Sequence, residues 1–432
     1  VNPTLFDENP RLRALAERLM QARREGRLTL QGGDCGYASA PSNIALLKYW
    51  GKQAGRKQIP VNSSISMTLG SFRAFTEVQV CGRFFPLQAN SLPNTENRPA
   101  FLLELNGKET PLPAKMEQFL RHLLAPFGND ISLRVKSRNN FPTACGVASS
   151  AAGYAALVGA IADLLNLQRF FSDEELQIWQ TEWARLGSGS ATRSALSQAA
   201  SAADENQFVA WHLSTGEHST ASPEPLTKTH ACEANPRFAD LRHCVLVLDS
   251  GEKKTDSSAG HELAQTSLLQ EIRLAQYPFR FARMLDALRQ GDFSCLAELT
   301  ECDAFEMHAV MGTGATPLRY MNSQTARAIA LFVRHRNEKQ LPMFWTLDAG
   351  ANPHLLYDGK SARELGSVFR QLSADPSFSS ARVLLPLGRT PNHLVTGIDQ
   401  LIKASLNSFQ TGAQVELLKE LSLAEAAEFL SK

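Results

Sequence analysis

The chain carries almost no net charge, no paired cysteine motif and no long apolar run, and each absence removes a class of function. Forty-four basic residues against 43 acidic ones give a formal net charge of +1 over 432 residues. No global field therefore draws the protein to nucleic acid or to an anionic membrane, and any anion site must be local. The seven cysteines, at 35, 81, 145, 232, 244, 295 and 302, form no CxxC pair. That argues against a zinc site or a disulfide framework, so a reducing cytoplasm is the expected setting. The most apolar stretch, 155–165, is interrupted by Asp163 and is shorter than the roughly 20 residues a membrane-spanning helix needs. The first ten residues lack the basic-then-apolar order of a secretory signal, so export is not expected. Neither a GxSxG elbow nor a GxxxxGK(S/T) loop occurs, which disfavours acyl transfer and P-loop chemistry. His243, His308 and His354 are not spaced as a metal set, and each is expected to take a packed or surface role.

What is present reads as a mixed fold. Leu12, Leu15, Leu19 and Met20 recur at helical spacing among charges over residues 10–25, predicting an amphipathic helix that serves as a packing or oligomer element. Alternating or β-branched runs at 63–69, 72–80 and 131–136 predict strands, with turn residues at 89–99 and 107–113. Helices are expected at 149–166 and 173–186, the second opened by a Ser172/Glu175 capping box. A polar, insertion-like stretch follows at 196–207 and a loop at 219–236. Further strands are predicted at 243–249, 343–348 and 382–387, and helices at 260–289, 291–310 and 322–338. The pattern is α+β, two sheets each backed by helices, with a boundary near 210–240.

Five clusters could carry chemistry. The segment NNFPTACGVASSAAG at 139–153 fits either a tight packing contact or a phosphate cradle, in which small residues admit main-chain N–H groups to an anion ahead of a helix. KYWGK at 48–52 aligns Lys48 with Lys52 in a helix or a strand, and is either a solvated surface or a polyanion site. GSGSATRS at 187–194 is either a flexible turn or a phosphate wrap with Arg193 as a bidentate fork. LDAGANPH at 347–354 places Asp348 after an apolar strand, as a turn former or as a group that orients or deprotonates a hydroxyl. The polar loop SGEKKTDSS at 250–258 is either solvated or closes lysines over a phosphate.

Taken together, APSNIALLKYWGK (40–52), IPVNSSIS (59–66), the 139–153 segment, GSGSATRS (187–194) and DAGAN (348–352) resemble the diphosphomevalonate decarboxylases of the GHMP small-molecule kinase superfamily, in the same order. KKTDSS (253–258), FEMHA (305–309) and YMN (320–322) add weaker matches. The resemblance implies a GHMP-kinase fold of two α/β sandwich-like domains with the active site in the cleft between them. The divisions expected are a helical extension (1–36), an N-terminal domain (37–225) and a C-terminal domain (226–432). It implies ATP-dependent decarboxylation of mevalonate 5-diphosphate to isopentenyl diphosphate through transient 3-phosphorylation. Alternatives are a 5-phosphomevalonate decarboxylase, a mevalonate-type 3-kinase and a non-catalytic nucleotide-binding relative.

By carry-over, Asp348 would orient or deprotonate the 3-hydroxyl, Lys48 would steady charge beside it, and Arg193 would bind the substrate carboxylate or a neighbouring phosphate. Tyr49, Lys52, Ser188 and Ser190 would hold the 5-phosphoryl group with Asn43 nearby. Ala144, Cys145, Gly146, Val147, Ala148, Ser149 and Ser150 would wrap the ATP phosphates. Magnesium is implied, with Ser150 as a ligand, and so is a homodimer. The sequence departs from the family's pattern at Cys145, commonly alanine, and at Ala351, often proline. The helix before residue 37 and the 196–207 stretch look like additions.

Overall fold

Asn9 accepts the Leu12 N–H and Pro10 opens the first turn, so helix α1 (Pro10–Arg24) begins where the pattern predicts. The computed structural model describes residues 9–83, 101–127, 131–142, 146–197, 207–214, 227–249, 251, 257–386 and 417–431. Leu12, Leu15, Ala16, Leu19 and Ala22 of α1 are buried in the same core as the rest of the first half. The helix is therefore part of that layer's packing, and its apolar face is already covered.

Strand β1 (Cys35–Leu47) pairs with the long β2 (Ser64–Arg83). The two strands predicted at 63–69 and 72–80 are one, because the register jumps from Pro41↔Arg73 to Ser42↔Leu69 and residues 70–72 bulge out of the ladder. After β3 (Leu102–Leu105), β4 (Lys108–Thr110) and α2 (Ala114–Leu124) comes β5 (Ile131–Asn139). Three helices follow, α3 (Ser149–Leu164), α4 (Asp173–Gly187) and α5 (Ala191–Leu196), then β6 (Phe208–Leu213) and β7 (Thr227–Ala231). The sheet runs β4-β3-β5-β2-β6-β7, with β1 also on β2. β7 falls in the stretch expected to be a loop; its residues ladder onto β6 from Val209↔Ala231 to Leu213↔Thr227. The first sheet thus continues past the division expected at 225/226. Most of the predicted 196–207 stretch, the 89–99 turn and the start of the 219–236 loop lie outside the described residues.

The second half contains β8 (Leu241–Val247), α6 (Ser257–Leu263), α7 (Leu268–Gln290), α8 (Phe293–Thr313) and α9 (Ser323–Lys339). It continues with β9 (Met343–Thr346), β10 (His354–Asp358), α10 (Ala362–Ser373), β11 (Arg382–Pro386), β12 (Leu418–Ser422) and α11 (Leu423–Ser431). These strands form an antiparallel sheet ordered β12-β11-β8-β10-β9. The single helix predicted at 260–289 is two, since a 3-10 turn at Ala264–Thr266 intervenes and Ser267 restarts the chain by accepting the Leu269 N–H.

One core packs α1, α3 and α4 on the first sheet. Another packs α9, α10 and α11 on the second. Between them Ile44, Ile65, Met67 and Phe72 meet Val245, Tyr277, Phe281, Met284 and Phe344, so the two halves share a third core. Burial of apolar area of this kind, at roughly 25 cal/mol per Å², fixes how the end of β1 faces the end of β9.

Candidate active site

Two segments 300 residues apart in sequence meet where β1 and β9 end, and Lys48 Nζ lies 2.6 Å from Asp348 Oδ1. Lys48 is not on a helix face beside Lys52; β1 stops at Leu47 and the chain continues irregularly, with Lys52 bridging to Pro60. Lys48 is 1% exposed, while Asp348 is 25% exposed and opens to a cavity of about 420 Å³. Burial pulls the Lys48 ammonium below its ordinary pKa, and the Asp348 and Asp303 carboxylates oppose that shift.

The Lys48 backbone is held as tightly as its side chain. Its N–H donates to Asp303 Oδ2 at 2.6 Å, and its carbonyl accepts from Asn62 Nδ2, an Arg273 guanidinium N–H and the Tyr277 hydroxyl. Asp303 is fully buried and is balanced by Arg273 at 3.1 Å and Arg280 at 3.3 Å. A buried carboxylate needs such partners to remain charged. His308 reaches the same loop, its Nε2 donating to the Asp348 carbonyl at 3.1 Å, and burial lowers its pKa to about 4. Its ring is therefore neutral near pH 7.

Arg193 projects from α5 into the cavity wall and is 2% exposed. Asn43 Oδ1 accepts from its Nε and one terminal nitrogen, and Ser64 Oγ accepts from the other at 2.6 Å. Burial lowers the Arg193 pKa to about 10, with Asp348 opposing, so the fork keeps its charge. Asn43 Nδ2 donates to Ser194 Oγ at 2.8 Å, which fixes the amide whose oxygen holds the arginine. Ser188, Ser190, Tyr49 and Lys52 line the same cavity. A Cβ on Gly189 would come within 2.7 Å of the Tyr49 ring, so the GSGS turn and the phenol pack together only without a side chain there. Burial raises the Tyr49 pKa, keeping the phenol a donor.

The small-residue segment forms the facing wall. Gly146 has φ +89°, a left-handed conformation that a side chain resists. Gly146, Val147, Ala148, Ser149 and Ser150 line the cavity, and α3 begins at Ser149 with no side-chain cap on its N-terminal N–H groups. Uncapped donors and the positive helix end suit an anion. Ala144, Cys145 and the lysines at 253 and 254 lie outside the described residues.

The loop is tethered from the second sheet. His354 Nε2 is 3.2 Å from the Gly146 carbonyl, an acceptor, so that nitrogen carries the hydrogen. His354 Nδ1 then accepts from His243 Nε2 at 2.8 Å. Both rings are buried, the packed one of the two roles expected for them. Ser42 Oγ adds a bond to the Val147 carbonyl.

Sequence reasoning missed the support beneath Lys48. Asp303 sits on the buried stripe of α8 with Leu296, Thr300 and Met307, and Arg273 with Tyr277 on that of α7. A charge on an apolar stripe was the available signal. Gln58 and Lys115 also line the cavity, and neither carries a local signal.

The cavity brings an ion pair, a buried guanidinium and an uncapped helix start together, and the chain is similar to known proteins in sequence and fold. The family model of the diphosphomevalonate decarboxylase-like N-terminal domain matches residues 40–214, and that of the mevalonate 5-diphosphate decarboxylase C-terminal domain matches 243–394. The diphosphomevalonate decarboxylase of Candida albicans is 33% identical over 85% of this chain and 95% of its own. That of Eremothecium gossypii is 35% identical over 74% and 76%. The crystal structure of mevalonate diphosphate decarboxylase from Staphylococcus aureus matches with a TM-score of 0.64 at 29% identity, covering 78% of this chain and 92% of that one. MDDEF in complex with MVAPP, AMPPCP and magnesium matches at 0.63 and 30%, covering 78% and 93%. With both domains matched and the GHMP-kinase fold shared, the chain belongs to the diphosphomevalonate decarboxylase family.

Proposed function

We propose that the cavity converts mevalonate 5-diphosphate and ATP to isopentenyl diphosphate, ADP, phosphate and carbon dioxide. The observation that carries this reading is the Lys48–Asp348 pair at 2.6 Å with the buried Arg193 guanidinium on the same wall. A tertiary hydroxyl leaves poorly, so it is first converted to a phosphate ester. Asp348 orients the 3-hydroxyl and takes its proton as the oxygen attacks the γ-phosphorus, a role worth roughly 10²–10⁴ in rate. Lys48 holds the carboxylate in place and offsets its charge. Departure of the 3-phosphate leaves positive character on C3. The electrons of the C1–C2 bond then form the C2=C3 double bond, and carbon dioxide leaves. Arg193 holds the substrate carboxylate, so bond cleavage starts from a fixed geometry.

Tyr49, Lys52, Ser188 and Ser190 take the 5-phosphoryl end, and Asn43 sets the arginine. Gly146 to Ser150 and the start of α3, together with Ala144 and Cys145, take the ATP phosphates. The hydroxyl oxygen of Ser150 on the wall suits a hard cation: Ser150 would help hold magnesium, which when bound would supply positive charge to the ATP phosphates.

The intact Asp, Lys and Arg set favours decarboxylation over simple 3-phosphorylation. We place the domain boundary between β7 and β8, and the protein in the cytoplasm. Among the described residues no helix is long and apolar enough to cross a membrane. For the homodimer, α1 offers no free apolar face, whereas Leu268, Ile272 and Phe279 form an exposed stripe along α7. Asp348→Ala tests the assignment: turnover is lost while ATP affinity by calorimetry stays at the parent value. Turnover at the parent rate in that variant would remove Asp348 from the mechanism.

A further inference from the structure

His261, in α6, stands in the cavity wall, and nothing in the reaction above uses it. Its ring is 8% exposed and lies between Tyr49, with centroids 4.2 Å apart, and Trp50, at 4.6 Å. Nδ1 is 3.0 Å from the Gly51 nitrogen. A backbone N–H only donates, so Nδ1 is the acceptor and the hydrogen of the neutral ring sits on Nε2. Among the described residues no protein group bonds to that Nε2.

The contrast with His243 is informative. There the buried ring nitrogen without a partner, Nδ1, is an acceptor, the less costly group to leave unmatched. At His261 the nitrogen without a partner among the described residues is a donor, and the residue lines the cavity, where an acceptor can meet it. The position also selects the ligand. The His261 ring packs on Tyr49, with centroids 4.2 Å apart, and Lys52 and Lys115 line the cavity with it. His261 therefore belongs to the end of the cavity assigned to the 5-phosphoryl group.

We propose that His261 is a specificity-determining residue whose neutral Nε2–H donates to the 5-diphosphate of the substrate, beside the charges of Lys52 and Lys115. The ring stays neutral because burial first, and those two lysines second, hold its pKa well below the ordinary value. Protonation at Nδ1 would also set it against the Gly51 N–H. The inference rests on the proposed function for the identity of the anion.

Three variants separate the two ring nitrogens. His261→Asn keeps an acceptor for Gly51 but its shorter amide withdraws the donor from the Nε2 position, His261→Gln keeps a donor near Nε2, and His261→Phe keeps only the ring between Tyr49 and Trp50. Steady-state kinetics should show KM for mevalonate 5-diphosphate raised about tenfold in the Asn and Phe variants, the loss of one donor to a charged acceptor. The Gln variant should stay near the parent, and KM for ATP should not move in any of them. Calorimetry with inorganic diphosphate should give the same order of affinities. Parent-like KM and diphosphate affinity in the Asn and Phe variants would overturn the inference and leave the proposed function standing. Diphosphate binding that depends on His261, in a protein that releases no carbon dioxide, would do the reverse. A parent that binds neither ligand would overturn both.

Discussion

Removing the Asp348 charge should destabilise the fold in a way that fades as pH rises. Asp348→Asn leaves the Lys48 ammonium 1% exposed with its nearest counter-charge gone. Breaking a buried pair from one side costs about 3–5 kcal/mol, and the partial exposure of Asp348 points to the lower end, about 3 kcal/mol at pH 7. The lysine has one escape, which is to shed its proton. From its ordinary value of 10.5, deprotonation costs about 1.4 kcal/mol per pH unit, so the penalty is capped at about 5 kcal/mol at pH 7 and about 2 kcal/mol at pH 9. The sign follows from linkage: the folded pKa of Lys48 is depressed, so the unfolded chain binds more protons, and stability rises with pH up to the unfolded value. The reciprocal Lys48→Met leaves Asp348 facing cavity water and should cost under about 1 kcal/mol. Urea denaturation of parent and both variants at pH 7 and pH 9 reads these differences. An equal loss for Asp348→Asn at the two pH values, or a larger loss for Lys48→Met, would refute the reasoning.

His354→Leu removes the donor to the Gly146 carbonyl and the acceptor for His243 Nε2, two hydrogen bonds of about 1 kcal/mol each, and loss of the first should raise KM for ATP several-fold without moving KM for mevalonate 5-diphosphate. Steady-state kinetics with each substrate varied in turn checks it. His308 has a folded pKa of about 4 against an ordinary 6.5, so the stability its burial confers is complete above pH 6.5 and is lost as pH falls from there towards 4. Denaturation midpoints between pH 7.5 and 4.5 should decline less steeply in His308→Gln than in the parent.

The parts of the molecule that were legible in the sequence are those written locally. Ser172 and Glu175 form the capping box that opens α4. The apolar spacing of α1 matches its buried face. The loops that carry chemistry were visible because glycine and small residues punctuate them: Gly146 adopts the positive φ, and Gly189 admits Tyr49. What was hidden depends on contacts between distant segments. β2 read as two strands because a bulge at 70–72 interrupts its alternation. β7 read as a loop because its TKTHA composition acquires a strand's hydrogen bonds only from β6. Lys48 could have stood on a solvated face, and only the meeting of its loop with Asp348 and Asp303 buries it.

The central claim is that this cavity couples phosphoryl transfer to carbon–carbon cleavage. Purified protein supplied with ATP, magnesium and mevalonate 5-diphosphate should release carbon dioxide, ADP and phosphate in equal amounts, measured together over one time course. ADP without carbon dioxide would contradict the account, since it would make the protein a 3-kinase.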